Sequence, residues 1–150
     1  MKKLIIVLLI LVWGKVSGQV VNMTEWNLDT FAKNCMQELK IDSAKVYIIP
    51  FSGKIYGTYE AFAIKNNGIY VVYLSGTLGY EASLKALSHE LAHVRQYYRN
   101  EITIKSKQMI TFKNVNYKVS EDSHYTDPQE VEAREIGVML FEKNKPRLMY

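Results

Sequence analysis

Leu87-Ser88-His89-Glu90-Leu91-Ala92-His93-Val94-Arg95-Gln96 is the stretch on which the reading of this chain turns. Two histidines four residues apart fall on one helical face, one turn apart, where both can grip a single metal ion. Glu90 stands one step round from them, placed to act on a water at the metal rather than on the metal itself. The flanking residues support a helix. Leu84, Leu87, Leu91, Val94 and Tyr98 form one apolar stripe, and both histidines lie about 160° from Leu91 by the helical period. One face can anchor in a core while the other turns to a cleft. The bland alternative is a solvated surface pair, and it would have to collect two of the three histidines in the chain around one glutamate.

Two histidines do not complete a catalytic zinc site, which takes three protein ligands and an open position. One known pattern adds a third histidine six residues after the second, but Arg99 stands there and cannot ligate. The other common solution is a glutamate from a later helix. Asp127-Pro128 marks such a helix, as an N-cap followed by proline at the first helical position. It offers Glu130, Glu132 and Glu135. Ile136, Leu140, Ala133, Gly137 and Phe141 span an apolar arc of roughly 140°, and Glu130 projects within it. Glu132 lies just outside, and Glu135 points away. The small residues Ala133 and Gly137 would let this helix approach the first closely. Glu130 has a rival role, because the third helical position is where a glutamate reaches back to its cap. We take Glu130 as the third ligand and keep Glu132 in reserve.

Working outward, the pattern predicts a helix from Thr24 to about Leu39, capped by Thr24, with Leu28, Phe31, Ala32, Cys35 and Leu39 on its stripe. Val46 to Ile49 reads as a strand stopped by Pro50. Tyr59 to Ile64 and Ile69 to Leu74 read as strands joined at Asn66-Asn67-Gly68. The helix of the metal motif runs from Tyr80 to about Arg99. Met109 to Phe112 and Val115 to Val119 suggest a second hairpin around Lys113-Asn114. This order predicts an α+β fold, an antiparallel sheet packed on a central helix. Cys35, the only cysteine, permits no intrachain disulfide and reads as a small buried hydrophobe.

The chain has 150 residues, 48% hydrophobic and 23% charged, with a formal charge of +4 that invites a nucleic-acid partner. The N-terminus removes that reading. Lys2-Lys3, the apolar run Leu4 to Trp13 and the small-residue site Val16-Ser17-Gly18 form the three parts of an export signal. The alternative is an uncleaved anchor, but Gly14-Lys15 interrupts the run early. No cysteine stands at the cleavage point, so no lipid anchor is expected. Of the 19 basic side chains, Lys2, Lys3 and Lys15 leave with the leader, so 16 remain against 15 acidic ones. A net charge of +1 is no footprint for nucleic acid. The expectation is a leader at 1–18, one domain at 19–150, and a secreted or periplasmic protein with no stable membrane anchor.

The two quoted motifs, the helical His-Glu-x-x-His and Asp127-Pro128-Gln129-Glu130-Val131-Glu132-Ala133-Arg134, resemble those of small zinc metallopeptidases of the gluzincin kind. With the hairpin between them they cover about a third of the chain. The resemblance implies a zincin-like fold, Zn2+ as cofactor, and the first glutamate of Glu-x-x-Ala, Glu130, as ligand. It implies hydrolysis of peptide or protein substrates by a metal-activated water, with Glu90 as general base. That mechanism also wants a donor to the developing oxyanion, for which Tyr125 and His124 are candidates, although a surface turn explains them equally well. The resemblance also suggests that the strand before the active helix, Ile69 to Leu74, lies where peptidases bind substrate, although an ordinary core strand is the simpler reading. One departure stands out. Many gluzincins carry an aspartate four residues after the glutamate ligand to support a histidine, and here that position is Arg134. What orients His89 and His93 is left open. A zinc-binding regulatory protein without turnover is the alternative function, and an adhesion domain with an accidental motif is a third.

Overall fold

Val46 and Ile48 alternate with half-buried neighbours in one strand, and Tyr70, Val72 and Leu74 do the same in another. Their inward faces meet the buried stripes of two helices. A computed structural model describes residues 18–52, 60–119 and 125–146 of the chain. These form, in order, β1 (Gln19–Asn22), α1 (Asp29–Glu38), β2 (Lys45–Phe51), β3 (Ala61–Asn66), β4 (Ile69–Ser75), α2 (Tyr80–Tyr98), β5 (Ile102–Ser106), β6 (Met109–Phe112), β7 (Val115–Lys118) and α3 (Pro128–Asn144). The class is α+β, with three helices and two sheets among the described residues. Apart from Gly18, the expected leader lies outside them, as do Tyr59 and His124.

The first sheet has the order β1-β2-β4-β3 and is mixed rather than antiparallel. β1, β2 and β4 run parallel, and only β3 is antiparallel to its neighbour. The physical reason is a strand at Gln19–Asn22 too short to show alternation. Followed by α1, it makes a crossover that brings β2 alongside it in parallel. β4 therefore sits inside the sheet, and the edge beside α2 is β3. The second sheet, β5-β6-β7, is antiparallel, and β5 extends the expected two-stranded hairpin by one strand.

The two hairpin turns expected from the sequence have left-handed backbones. Asn67 and Gly68 have φ of 49° and 77°, and Lys113 and Asn114 have 48° and 68°. Turns with positive φ at both central residues match the twist of the flanking strands. β3 runs to Asn66, two residues beyond the expected end, and two further boundaries differ from expectation. Helix α1 begins at Asp29, not Thr24, because the Asn22 side chain captures Thr24: Asn22 Oδ1 accepts from the Thr24 amide at 3.0 Å and from its hydroxyl at 2.7 Å. Strand β2 continues through Pro50 to Phe51. Ile48 O accepts from Met23 N on the β1 side, whereas Phe51 O accepts from Gly76 N on the other. Pro50 shares the parity of Ile48, so its missing N–H faces the side on which β1 has already ended.

Leu28, Phe31, Cys35, Val46, Ile48, Val72, Leu84, Leu87, Leu91, Val94 and Leu140 build one core between the mixed sheet and the helices. Helix α2 crosses its centre and is buried on nearly every side between Ser83 and Gln96. Among the described residues no helix is long and apolar enough to cross a membrane.

Candidate metal centre

The helical period of α2 sets His89 and His93 beside each other, with their Nε2 atoms 3.2 Å apart and rings nearly perpendicular. Helix α3 brings the third group. Glu130 Oε2 stands 3.3 Å from His93 Nε2 and 3.4 Å from His89 Nε2. The edge of a tetrahedron with metal–ligand bonds of about 2.0–2.1 Å is about 3.3 Å. Three donor atoms at these spacings, two imidazoles and a carboxylate, therefore suit one tetrahedral ion and leave one corner open. His89, His93 and Glu130 form a group that could hold a metal ion. Glu130 thus turns its Oε2 to the histidines. At the start of α3 the Asp127 carbonyl accepts from the amides of Glu130 and Val131, and the Asp127 side chain makes no cap hydrogen bond.

The closeness of the two helices has a cause in small side chains. Ala133 is fully buried, and Gly137 lies against the backbone of His89. Glu132, the reserve ligand, is engaged elsewhere. Its Oε1 accepts from Lys113 Nζ at 2.6 Å and its Oε2 from Gln96 Nε2 at 2.9 Å. Burial works against its charge, but those two hydrogen bonds and the Lys113 and Arg95 charges hold its carboxyl below the usual range.

Glu90 is only 5% exposed. Burial pushes its carboxyl up, against the opposing pull of His93 and His89; Glu130 adds to the rise, and a hydrogen bond from the Ala63 backbone in β3 resists it. His93 is perturbed as well. Burial alone would lower it, but the hydrogen bond to Glu130 and the charges of Glu90 and Glu130 raise it to about 9. A metal ion would compete with that proton.

A cleft of about 360 Å³ opens over these groups. His89, Glu90, His93, Tyr97 and Glu130 line it, with Ala61–Ala63 of β3 on one wall and Ile102, Ile104 and Ile110 on another. Tyr97 was not legible as a site residue. It follows Glu90 by seven residues, two helical turns, and so shares its side of α2. Burial raises its phenol, and the Glu90 and Glu130 charges raise it further, so it stays a donor. Tyr125 is not among the cleft-lining residues: it is 75% exposed, its ring 5.6 Å from the Arg134 guanidinium and its carbonyl accepting from Arg134. Arg134 is therefore occupied away from the histidines. Arg99, at the position of the excluded third histidine, donates to Leu39 O and ties the end of α2 to that of α1.

Compared with protein-family models, curated proteins and solved structures, the chain matches none of them.

Proposed function

We propose that this chain is a zinc-dependent peptidase with a zincin-like arrangement of the gluzincin kind, hydrolysing peptide bonds. The observation that carries the reading is the 3.2–3.4 Å triangle of His89, His93 and Glu130 donor atoms, with buried Glu90 beside it. The mixed nitrogen and oxygen donor set and the open corner suit catalytic zinc. Zinc held there would supply Lewis acidity, activating a water and polarising the scissile carbonyl.

The chain's own groups do the remainder. Glu90, held by the Ala63 amide and raised by burial, takes a proton from the attacking water and returns it to the leaving amine. Tyr97, kept protonated by burial and then by its acidic neighbours, donates to the substrate oxygen as charge develops there. β3 supplies the docking edge. Glu60 O is bonded toward β4, so by alternation the N–H and C=O of Ala61 and the C=O of Ala63, whose N–H is taken by Glu90, face outward along the cleft, where an extended substrate can lie.

The test is incubation of zinc-loaded protein with a peptide library read by mass spectrometry. Cleavage that a chelator stops and added zinc restores supports the reading. Stoichiometric zinc with no cleavage would replace it by a zinc-binding scaffold. Export belongs to the same proposal, with cleavage after Gly18 leaving Gln19, the first residue of β1, as the new N-terminus. An intact mass from the native host that retains Met1 would overturn that part.

A further inference from the structure

Gln96 is fully buried, so its amide must find every partner inside the protein. Its Nε2 lies 3.0 Å from the carbonyl oxygen of Gln129 and 2.9 Å from Glu132 Oε2. A peptide carbonyl and a carboxylate only accept, so the NH2 end of the amide must face α3. The opposite orientation would set an oxygen against two oxygens. The Gln96 Oε1 atom is thereby committed to the other side, where it lies 2.9 Å from His93 Nδ1. An amide oxygen has no proton to give, so His93 Nδ1 must carry one. Glu132 is in turn held by Lys113, from the turn between β6 and β7.

We propose that Gln96 is a positioning residue for the metal centre, the last link of a relay Lys113–Glu132–Gln96–His93 that keeps the proton on His93 Nδ1 and leaves Nε2 as the atom that ligates. The relay answers what orients His93 in a chain with Arg134 where an aspartate would do that work. It also gives Glu132 a role in the site without ligation. Gln96 joins the two ligand-bearing helices, because it is rooted on α2 and its amide is held by the first turns of α3. The proposal rests on the metal reading above. Partners of this kind commonly change metal affinity by 10–100-fold when removed.

The experiment measures zinc affinity by competition with a chromogenic chelator for wild type, Gln96→Met, Glu132→Gln and His93→Ala. It is paired with 1H–15N imidazole spectra of zinc-loaded wild type. Expected are loss of tight zinc in His93→Ala, 10–100-fold weaker zinc in Gln96→Met, and a smaller loss in Glu132→Gln, where the Gln129 carbonyl still holds the amide. The wild-type spectrum should show His93 protonated at Nδ1, shielded from solvent exchange, and ligating through Nε2. Gln96→Met within twofold of wild type, with His93→Ala still losing zinc, would overturn the relay and leave the metal reading standing. A spectrum with His93 ligating through Nδ1 would overturn the relay without any variant having to fold. Wild type that takes up no zinc would remove both.

Discussion

Gly137 of α3 packs against the backbone of His89 in α2: a Cβ on Gly137 would stand 2.9 Å from His89 Cα and 3.1 Å from its nitrogen. Contact this close is what lets a side chain one and a half to two turns earlier on α3 reach the histidines. Gly137→Ala gains about 1 kcal/mol of helix propensity but drives a methyl group into backbone. The expected outcome is net destabilisation of about 1–3 kcal/mol in urea unfolding, together with at least tenfold weaker zinc. A more stable variant with unchanged zinc affinity would show that the approach is not needed.

Glu90→Gln keeps size and hydrogen bonding while removing the base. Zinc content and fold should be unchanged, and hydrolysis should fall at least 10²-fold. Loss of zinc would make Glu90 a ligand or a structural group. Full activity would place the chemistry elsewhere.

Much of this site can be read from residue spacing, and the reasons are geometric. The His89–His93 pair follows from the helical period alone, and Glu130 from its place within the apolar arc that faces α2. The Asn67-Gly68 turn announced its hairpin through glycine. What was not legible depends on partners distant in sequence. β1 has four residues and becomes a strand only by pairing with β2. Pro50 reads as a stop until the shortness of β1 frees its edge. Gln96 is one more polar residue on a helix until Gln129 and Glu132, more than thirty positions on, dictate its orientation. Tyr97 carried a weak signal, its seven-residue spacing from Glu90, which the neighbouring apolar stripe through Tyr98 obscured.

Tyr97→Phe removes one hydroxyl from the cleft and nothing from the ligand triangle. Loss of a donor to a developing oxyanion costs about 10²–10³ in turnover where it has been measured. A fall of at least tenfold in kcat at full zinc occupancy is expected from steady-state kinetics. Unchanged kcat would return the oxyanion role to another donor.

Cys35 is fully buried, and burial, then the Glu38 charge, push its thiol from 9.0 to about 12. The sign follows directly. A raised folded value gives stability that is complete below the unfolded value near 9.0 and is lost as pH climbs toward about 12. The native protein at pH 8 should leave a thiol reagent unreacted, with one thiol per chain appearing in urea. Alkaline unfolding curves of Cys35→Ala should lose part of the slope between those two values. Rapid labelling of the native protein would contradict the burial.

The most direct measurement is metal content by mass spectrometry of purified, zinc-equilibrated protein, for wild type beside His89→Ala, Glu130→Ala and Glu132→Ala. The account predicts one tightly held equivalent in wild type and Glu132→Ala, and its loss in His89→Ala and Glu130→Ala. A full equivalent retained by Glu130→Ala, or none in wild type, would contradict it.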